Sequence, residues 1–411
     1  MNLMSGRMSG RMSGRPFTGR AASAVIAATV LAVLAGCGDP GPQSASQPPV
    51  MPSRCTQAGP VVFAVSGRAD SPAPVLTTAM QQAAITAVDE GSSIGIVNVD
   101  GNPALTKTGA FSDPGVNHPT LENDQQTYLR SLLTAVERVR AMSPDVNVLD
   151  ALEVGGRALH AACSHGGTLY LEDSGLQEIG PVNFREQGIL GAAPAEVVRF
   201  LSSEHEIPDL RGLAVILVGI GDTAPPQAPL TIGQSGNLVA IWSAIASAGG
   251  AVSVSVDSSP RLGVAAPPHV PRVLLVPVPA LPPWQPSDPR YVFPDSGPVG
   301  FLPNTAQFRD PTAAEGSLRQ LAAYLVANPS VRIELTGTTA RVGSLSGCIA
   351  LSLERAEAVR QVLITDGALP SQIATAGVGW QFPGYENDQG PAGVLLPGPA
   401  EHNRSVIVTR L

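Results

Sequence analysis

The sequence predicts an α/β N-terminal domain with a doubly wound, mostly parallel sheet, followed by an α+β C-terminal domain. Three observations carry this expectation. Between residues 60 and 257, short unbroken apolar runs alternate with stretches of helical period, the pattern of strands covered on both faces by crossover helices. Residues 258–290 break that pattern with ten prolines. After Tyr291 the order becomes strand, helix, strand, helix, strand, strand, a unit of about 120 residues.

Taken in order, residues 61–65 read as an apolar strand, 74–88 as a helix, 94–99 as a second strand and 104–110 as a weaker one. Residues 124–142 place Leu129, Leu132, Leu133, Val136 and Val139 on one helical face. Strands follow at 168–171, 213–218 and 251–256, with helices at 150–162, 194–201 and 237–248. The proline-rich segment favours extended, semi-rigid chain, and its apolar patch 273–278 suits an edge strand. In the last unit Leu318, Leu321 and Leu325 mark a helix, 331–335 a strand, 351–364 a helix and 405–408 the final strand.

Composition narrows the function. An apolar content of 44% is enough for two buried cores, which excludes wholesale disorder. Lys107 is the single lysine, and no acidic residue precedes Asp39, so the chain beyond the N-terminal arginines is more acidic than the overall charge of −8. Nucleic acid and anionic lipid headgroups are therefore poor partners.

Residues 1–36 have the layout of an export signal. Arg7, Arg11, Arg15 and Arg20 precede an apolar, alanine-rich stretch from residue 21 to 35, too short for a membrane span. It ends in Leu34-Ala35-Gly36-Cys37 and a polar, proline-rich run. This junction resembles the bacterial lipobox, and the resemblance implies that Cys37 is lipidated and becomes the new N-terminus. The mature chain would then be anchored by lipid on the extracytoplasmic face of the cell membrane, with residues 37–56 as a tether. An ordinary secretory signal with an unrelated cysteine is the alternative.

In the last unit, Leu351-Ser352-x-x-Arg355-Ala356-x-x-Val359-x-x-x-Leu363 follows Thr336-Gly337-Thr338-Thr339-Ala340, and Asn403-Arg404-Ser405-Val406 closes the set. With Gly377-Val378-Gly379 and Pro383 between them, these elements resemble, in order and spacing, the OmpA-like, peptidoglycan-associated domain over residues 291–411. The resemblance implies a site for a peptidoglycan stem peptide made from Thr338, Thr339, Ala340, Cys348, Leu351, Ser352, Arg355, Asn403 and Arg404. In that family the arginine at position 355 holds a carboxylate of diaminopimelate, and an aspartate at position 340 takes its ammonium. Here that position is Ala340, the usual histidine is Thr338, and the usual asparagine is Cys348. Alanine cannot neutralise an ammonium, so the zwitterion would be met on one side only, a loss of about 1.5–3 kcal/mol. From the residues alone, Arg355 lies on the inward side of its helix beside a helix N-terminus. That placement suits either a carboxylate ligand or an internal ion pair with Glu334.

The N-terminal domain, residues 57–257, resembles a von Willebrand factor A domain in element order. Its runs at 61–65, 169–175 and 215–221 fall where that fold has its first, fourth and fifth strands. The metal loop of that family reads Asp-x-Ser-x-Ser, whereas this chain has Ser66-Gly67-Arg68-Ala69-Asp70. A guanidinium repels a cation, so no metal is expected. No catalytic residue, cofactor loop or nucleophile elbow is found, and no enzymatic activity or cofactor is expected. Cys55 and Cys163 each precede a strand by a few residues. In a doubly wound order 3-2-1-4-5-6 those strands are neighbours entering from one edge, so a Cys55–Cys163 disulfide is expected with Cys348 free.

The whole reads as a lipid-anchored envelope protein with the proline-rich segment 258–290 as a linker. It would tether or scaffold between membrane and peptidoglycan, with envelope proteins as further partners. The alternatives are a scaffold that binds proteins only and, less favoured, an envelope enzyme.

Overall fold

A computed structural model of the protein describes residues 55–112, 118–164, 166–259, 261, 264–278 and 282–411. The expected export segment 1–36, Cys37 and most of the expected tether 37–56 lie outside the described residues.

The first sheet takes β1 (Val61–Val65), β2 (Ser93–Asn98), β3 (Ala104–Ala110), β4 (Thr168–Glu172), β5 (Ala214–Val218) and β6 (Ser253–Asp257) in the order β3-β2-β1-β4-β5-β6. All pairings are parallel except β2–β3, where the edge strand runs antiparallel. Strand β1 is buried along its whole length because its side chains alternate between two cores. Val61, Phe63 and Val65 pack with Met80 of α1 (Thr78–Asp89) and with Leu132 and Val136 of α2 (His118–Glu137). Val62 and Ala64 share the other core with α3 (Val148–Ala162), α4 (Pro194–Glu204) and α5 (Ile232–Ala248). Cys55 and Cys163 are joined in a disulfide.

Several element limits differ from the sequence expectation for physical reasons, among them α1, which begins four residues late at Thr78 because Thr77 caps it. Helix α5 begins five residues early because Thr231 and Gln234 form a capping box. Helix α2 begins at His118 through turns too polar to show a hydrophobic face, and ends at Glu137, after which the Ala141 N–H donates to the Gly67 carbonyl. Residues 273–278 pair with no strand. Instead Val276 is buried in the first sheet's core, where Gln227 bonds both its N–H and its carbonyl at 2.9 Å.

The second sheet contains β7 (Arg290–Pro294), β8 (Ile333–Gly337), β9 (Ile373–Gly377) and β10 (Ser405–Arg410) in the order β7-β10-β8-β9. Strand β10 runs antiparallel to β7 and β8, while β8 and β9 are parallel. Leu318, Leu321 and Leu325 of α6 (Pro311–Ala327) and Val359 and Leu363 of α7 (Leu345–Thr365) bury one face of this sheet against Phe293, Leu335, Val406 and Val408. A short helix α8 (Pro397–His402) leads into β10.

Two buried carboxyls make stability depend on pH. Burial pushes Glu172 up to about 7 and Glu178 up to about 8, against 4.5 for a free glutamate, although Arg261 and Arg68 respectively oppose the shift. The folded chain therefore binds more protons than the unfolded one between those limits. The stabilisation is complete below pH 4.5 and is lost as pH rises through about 7 to 8. Each group contributes a slope of up to about 1.4 kcal/mol per pH unit. The melting temperature is expected to fall from pH 5.5 to pH 8.5, as calorimetric scans at fixed ionic strength would show.

Candidate carboxylate site on helix α7

Helix α7 starts at Ser344, whose Oγ accepts from the Gly347 N–H, and buries Cys348, Ser352, Arg355, Ala356, Val359 and Leu363 along one face. The first helical residue, Leu345, precedes the Leu351-Ser352 motif by six residues, so Arg355 stands about 15 Å from the helix N-terminus and not beside it. The helix lies against the sheet because β8 and β9 each end in glycine. A Cβ on Gly337 would stand 1.8 Å from the Ser352 carbonyl oxygen, and one on Gly377 would stand 2.4 Å from that of Ile349.

Arg355 is only 4% exposed. Its Nε donates to the Thr305 carbonyl at 3.0 Å, and its guanidinium carbon lies 5.0 Å from the centre of the Phe301 ring. Phe301 stacks on Phe308 across a small hairpin whose turn places Asn304 at φ 57°. Asp295 clamps the base of that hairpin by accepting from the Phe301 N–H and pairing with Arg309 at 3.4 Å. Among the described residues neither Nη of Arg355 has a hydrogen-bond acceptor and no carboxylate lies within 4.0 Å. Glu334, the internal partner considered from the sequence, instead accepts from Thr336. Burial lowers the pKa of Arg355, Arg404 and Arg309 add to that, and Asp295 opposes it. Three guanidiniums thus face this region. Arg309 is paired with Asp295 and Arg404 with Glu196, leaving Arg355 unneutralised. A largely desolvated cation without a partner favours an anion.

The other sequence-predicted residues fall into separate groups. Thr338 is fully buried and bonds the Asn403 carbonyl and Ser405, tying β8 to β10. Asn403 holds the segment after β9 by bonding the backbone of Glu386 and the carboxylate of Asp388. Ser352 Oγ accepts from the Gly379 N–H. The Sγ of Cys348 meets the carbonyls of Ala340 and Val342, so the thiol braces the loop after β8. Ala340 is buried, and Thr339 beside it has a buried hydroxyl with no partner. Leu351 is half-buried at the rim of α7. Arg404 is engaged by the N-terminal half of the chain. Both its Nη atoms bond the Glu196 carboxylate on α4, one of them at 3.0 Å.

Sequence reasoning missed Phe301, Thr305, Asp295, Asp388 and Glu196. The Pro303-Asn304 pair between two phenylalanines was a turn signal for the hairpin. Nothing local could have linked Glu196 to Arg404, which lies 208 residues on.

One comparison with known proteins covers this region. The OmpA family's sequence profile matches residues 300–392. Outer membrane porin F of Pseudomonas fluorescens is 35% identical over 72 residues, which is 18% of this chain and 22% of that protein. The chain therefore spans about a fifth of the length of that relative. Among solved structures, the peptidoglycan-associated lipoprotein of Burkholderia pseudomallei is 25% identical, covering 27% of this chain and 86% of its own, with a TM-score of 0.23. The periplasmic domain of Helicobacter pylori MotB is 18% identical, covering 29% and 74%, with a TM-score of 0.25. The matched stretch holds α7 with its buried arginine, and this chain carries an OmpA-family domain at residues 300–392.

Proposed function

We propose that this chain is a lipoprotein of the bacterial cell envelope, anchored through Cys37, whose OmpA-like domain tethers the membrane to peptidoglycan. The observation that carries the reading is Arg355: a nearly buried guanidinium, fixed by Thr305 and Phe301, with both Nη atoms unpaired, at the family's arginine position. A planar fork held in this way suits a carboxylate of the wall's stem peptide. In this reading residues 1–36 are removed, 37–56 form the tether, 57–257 form a protein-interaction domain, 258–290 link the two and 291–411 grip the wall. A second reading, a scaffold that binds envelope proteins only, draws on the alanine at position 340 and on the capture of Arg404 by Glu196.

The two anchors are separable by fractionation. Full-length Arg355→Gln is expected to stay with membranes while its sedimentation with purified sacculi falls roughly tenfold or more, the scale of a lost charge-assisted hydrogen bond. Cys37→Ala is expected to do the reverse, losing acyl label and membrane retention while still binding sacculi. No sacculus binding by the parent would favour the scaffold, unchanged binding by Arg355→Gln would place the wall contact away from this arginine, and unchanged membrane retention by Cys37→Ala would remove the lipid anchor.

A further inference from the structure

The loop after β8 carries a second guanidinium that no ion pair satisfies among the described residues. Arg341 follows Ala340 directly and is exposed, with its guanidinium carbon 5.6 Å from the centre of the Trp380 ring. Its backbone is fixed on both sides, the N–H donating to Asp388 at 2.9 Å and the carbonyl accepting from Gln389 at 2.9 Å. The position is therefore ordered while the charge is free, a cation stacked on an aromatic face.

The carboxylates around this stretch are already engaged. Asp388 is fully buried and accepts from the Arg341 N–H, the Tyr385 hydroxyl and the Asn403 amide. Asp295 serves Arg309 and the Phe301 N–H, Glu386 faces His402 at 3.5 Å, and Glu401 accepts from the Ser296 N–H. Glu357 pairs with Arg360, and Glu354 is exposed, next to Arg355 in sequence and away from the buried stripe of α7. Among the described residues the buried acids near this stretch are thus all engaged, and an ammonium would meet a guanidinium at position 341.

Cys348 touches the carbonyls on either side of Arg341, and Arg355 lies seven residues further along the same helix. The helical rise sets the backbone of Cys348 about 10 Å from that of Arg355 along the helix, on the order of three extended peptide residues. We infer that the site selects a short peptide that is anionic at both ends, one carboxylate on Arg355 and the other on Arg341, and that it discriminates against a zwitterion of the same length. The inference rests on the wall-binding reading and narrows its ligand to stem-peptide segments with two carboxylates and a blocked or absent amine.

The test compares succinyl-alanyl-alanine, a dianion, with β-alanyl-alanyl-alanine, a zwitterion of similar length, by calorimetry on the full chain. The parent protein is expected to bind the dianion about tenfold more tightly, the scale on which a charge-assisted hydrogen bond for one peptide replaces a repulsion for the other. Arg341→Gln, at an exposed position where folding is not at risk, is expected to reduce that preference about fivefold. Equal or tighter binding of the zwitterion, no effect of Arg341→Gln, or binding of neither peptide by a parent that still sediments with sacculi would each overturn this inference and leave the wall-binding reading standing. A parent that does not sediment with sacculi overturns the reading itself.

Discussion

Arg68→Met is expected to cost the protein about 3–5 kcal/mol, the scale of a buried charge cluster that loses its one cation. Arg68 is fully buried where the chain leaves β1. Its Nε donates to Ser66 at 3.0 Å, one Nη reaches Asp173 at 3.1 Å and Ser174 at 3.0 Å, and the other lies 3.3 Å from Asp70 and 3.6 Å from Glu178. Methionine fills most of the same space and removes only the charge and its donors, so the loss reports electrostatics and not a cavity. Three carboxyls would remain in a region that water does not reach. The penalty should shrink in acid, because burial already pushes Asp70 up and holds Glu178 at about 8, and a protonated carboxyl needs no cation. Urea denaturation at pH 8 and pH 5 should therefore show a larger gap between parent and variant at pH 8, and adding Asp173→Asn should recover part of it. A loss below about 1 kcal/mol at pH 8, within the range of exposed ion pairs, would mean that the carboxylates are solvated.

The same cluster occupies the place where a doubly wound sheet usually holds its ligand. Ligands of doubly wound sheets sit beyond the carboxyl ends of the strands, where the order reverses, which here is between β1 and β4. Arg68 fills that point with its own guanidinium. Arg261 fills the neighbouring one, pairing with Glu172 at the end of β4 and bonding the Ala73 carbonyl. The proline-rich segment thus begins packed on the sheet, and further along it buries Val276 in the first core and Trp284 in the second.

How far the fold was legible depended on how local its causes are. Strands β1 and β5 were plain because burial on both faces demands unbroken apolar runs, and even the exposed β3 kept the limits 104–110. Helix limits were less plain because they are set by capping side chains. Thr231 moved α5, and Ser344 moved α7 far enough to carry Arg355 away from the helix N-terminus. In the candidate site, the arginine and its inward face could be read from the spacing of Leu351, Arg355 and Val359. What holds the guanidinium could not. Thr305 and Phe301 lie about fifty residues earlier and reach Arg355 only through tertiary packing, and Glu196 reaches Arg404 from the other sheet.

Replacing both Cys55 and Cys163 with serine is expected to lower stability by about 2–5 kcal/mol, most of it through the unfolded chain. The bond closes a loop with a sequence separation of 108, and the loop-closure entropy removed from the unfolded state grows with the logarithm of that length. The folded side of the balance is already prepared. Strands β1 and β4 are parallel neighbours with Val61 opposite Thr168, the Thr168 N–H donates to the Pro60 carbonyl at 2.9 Å, and the two cysteine Cα atoms are 5.3 Å apart. The bond therefore adds little new order to the native chain, and its loss should leave the fold intact but less stable, by roughly 5–15 °C in melting temperature for a domain of this size. Reductant should reproduce the effect on the parent and do nothing further to the double variant, since Cys348 is buried and unpaired. The bond also carries information about compartment, because such a pair persists outside the cytoplasm and is kept reduced within it. Protein recovered from the cell envelope should yield a Cys55–Cys163 peptide under non-reducing digestion, with Cys348 alkylated only after unfolding. Recovery of both cysteines as free thiols would count against the exported reading, and would do so independently of any result with Cys37.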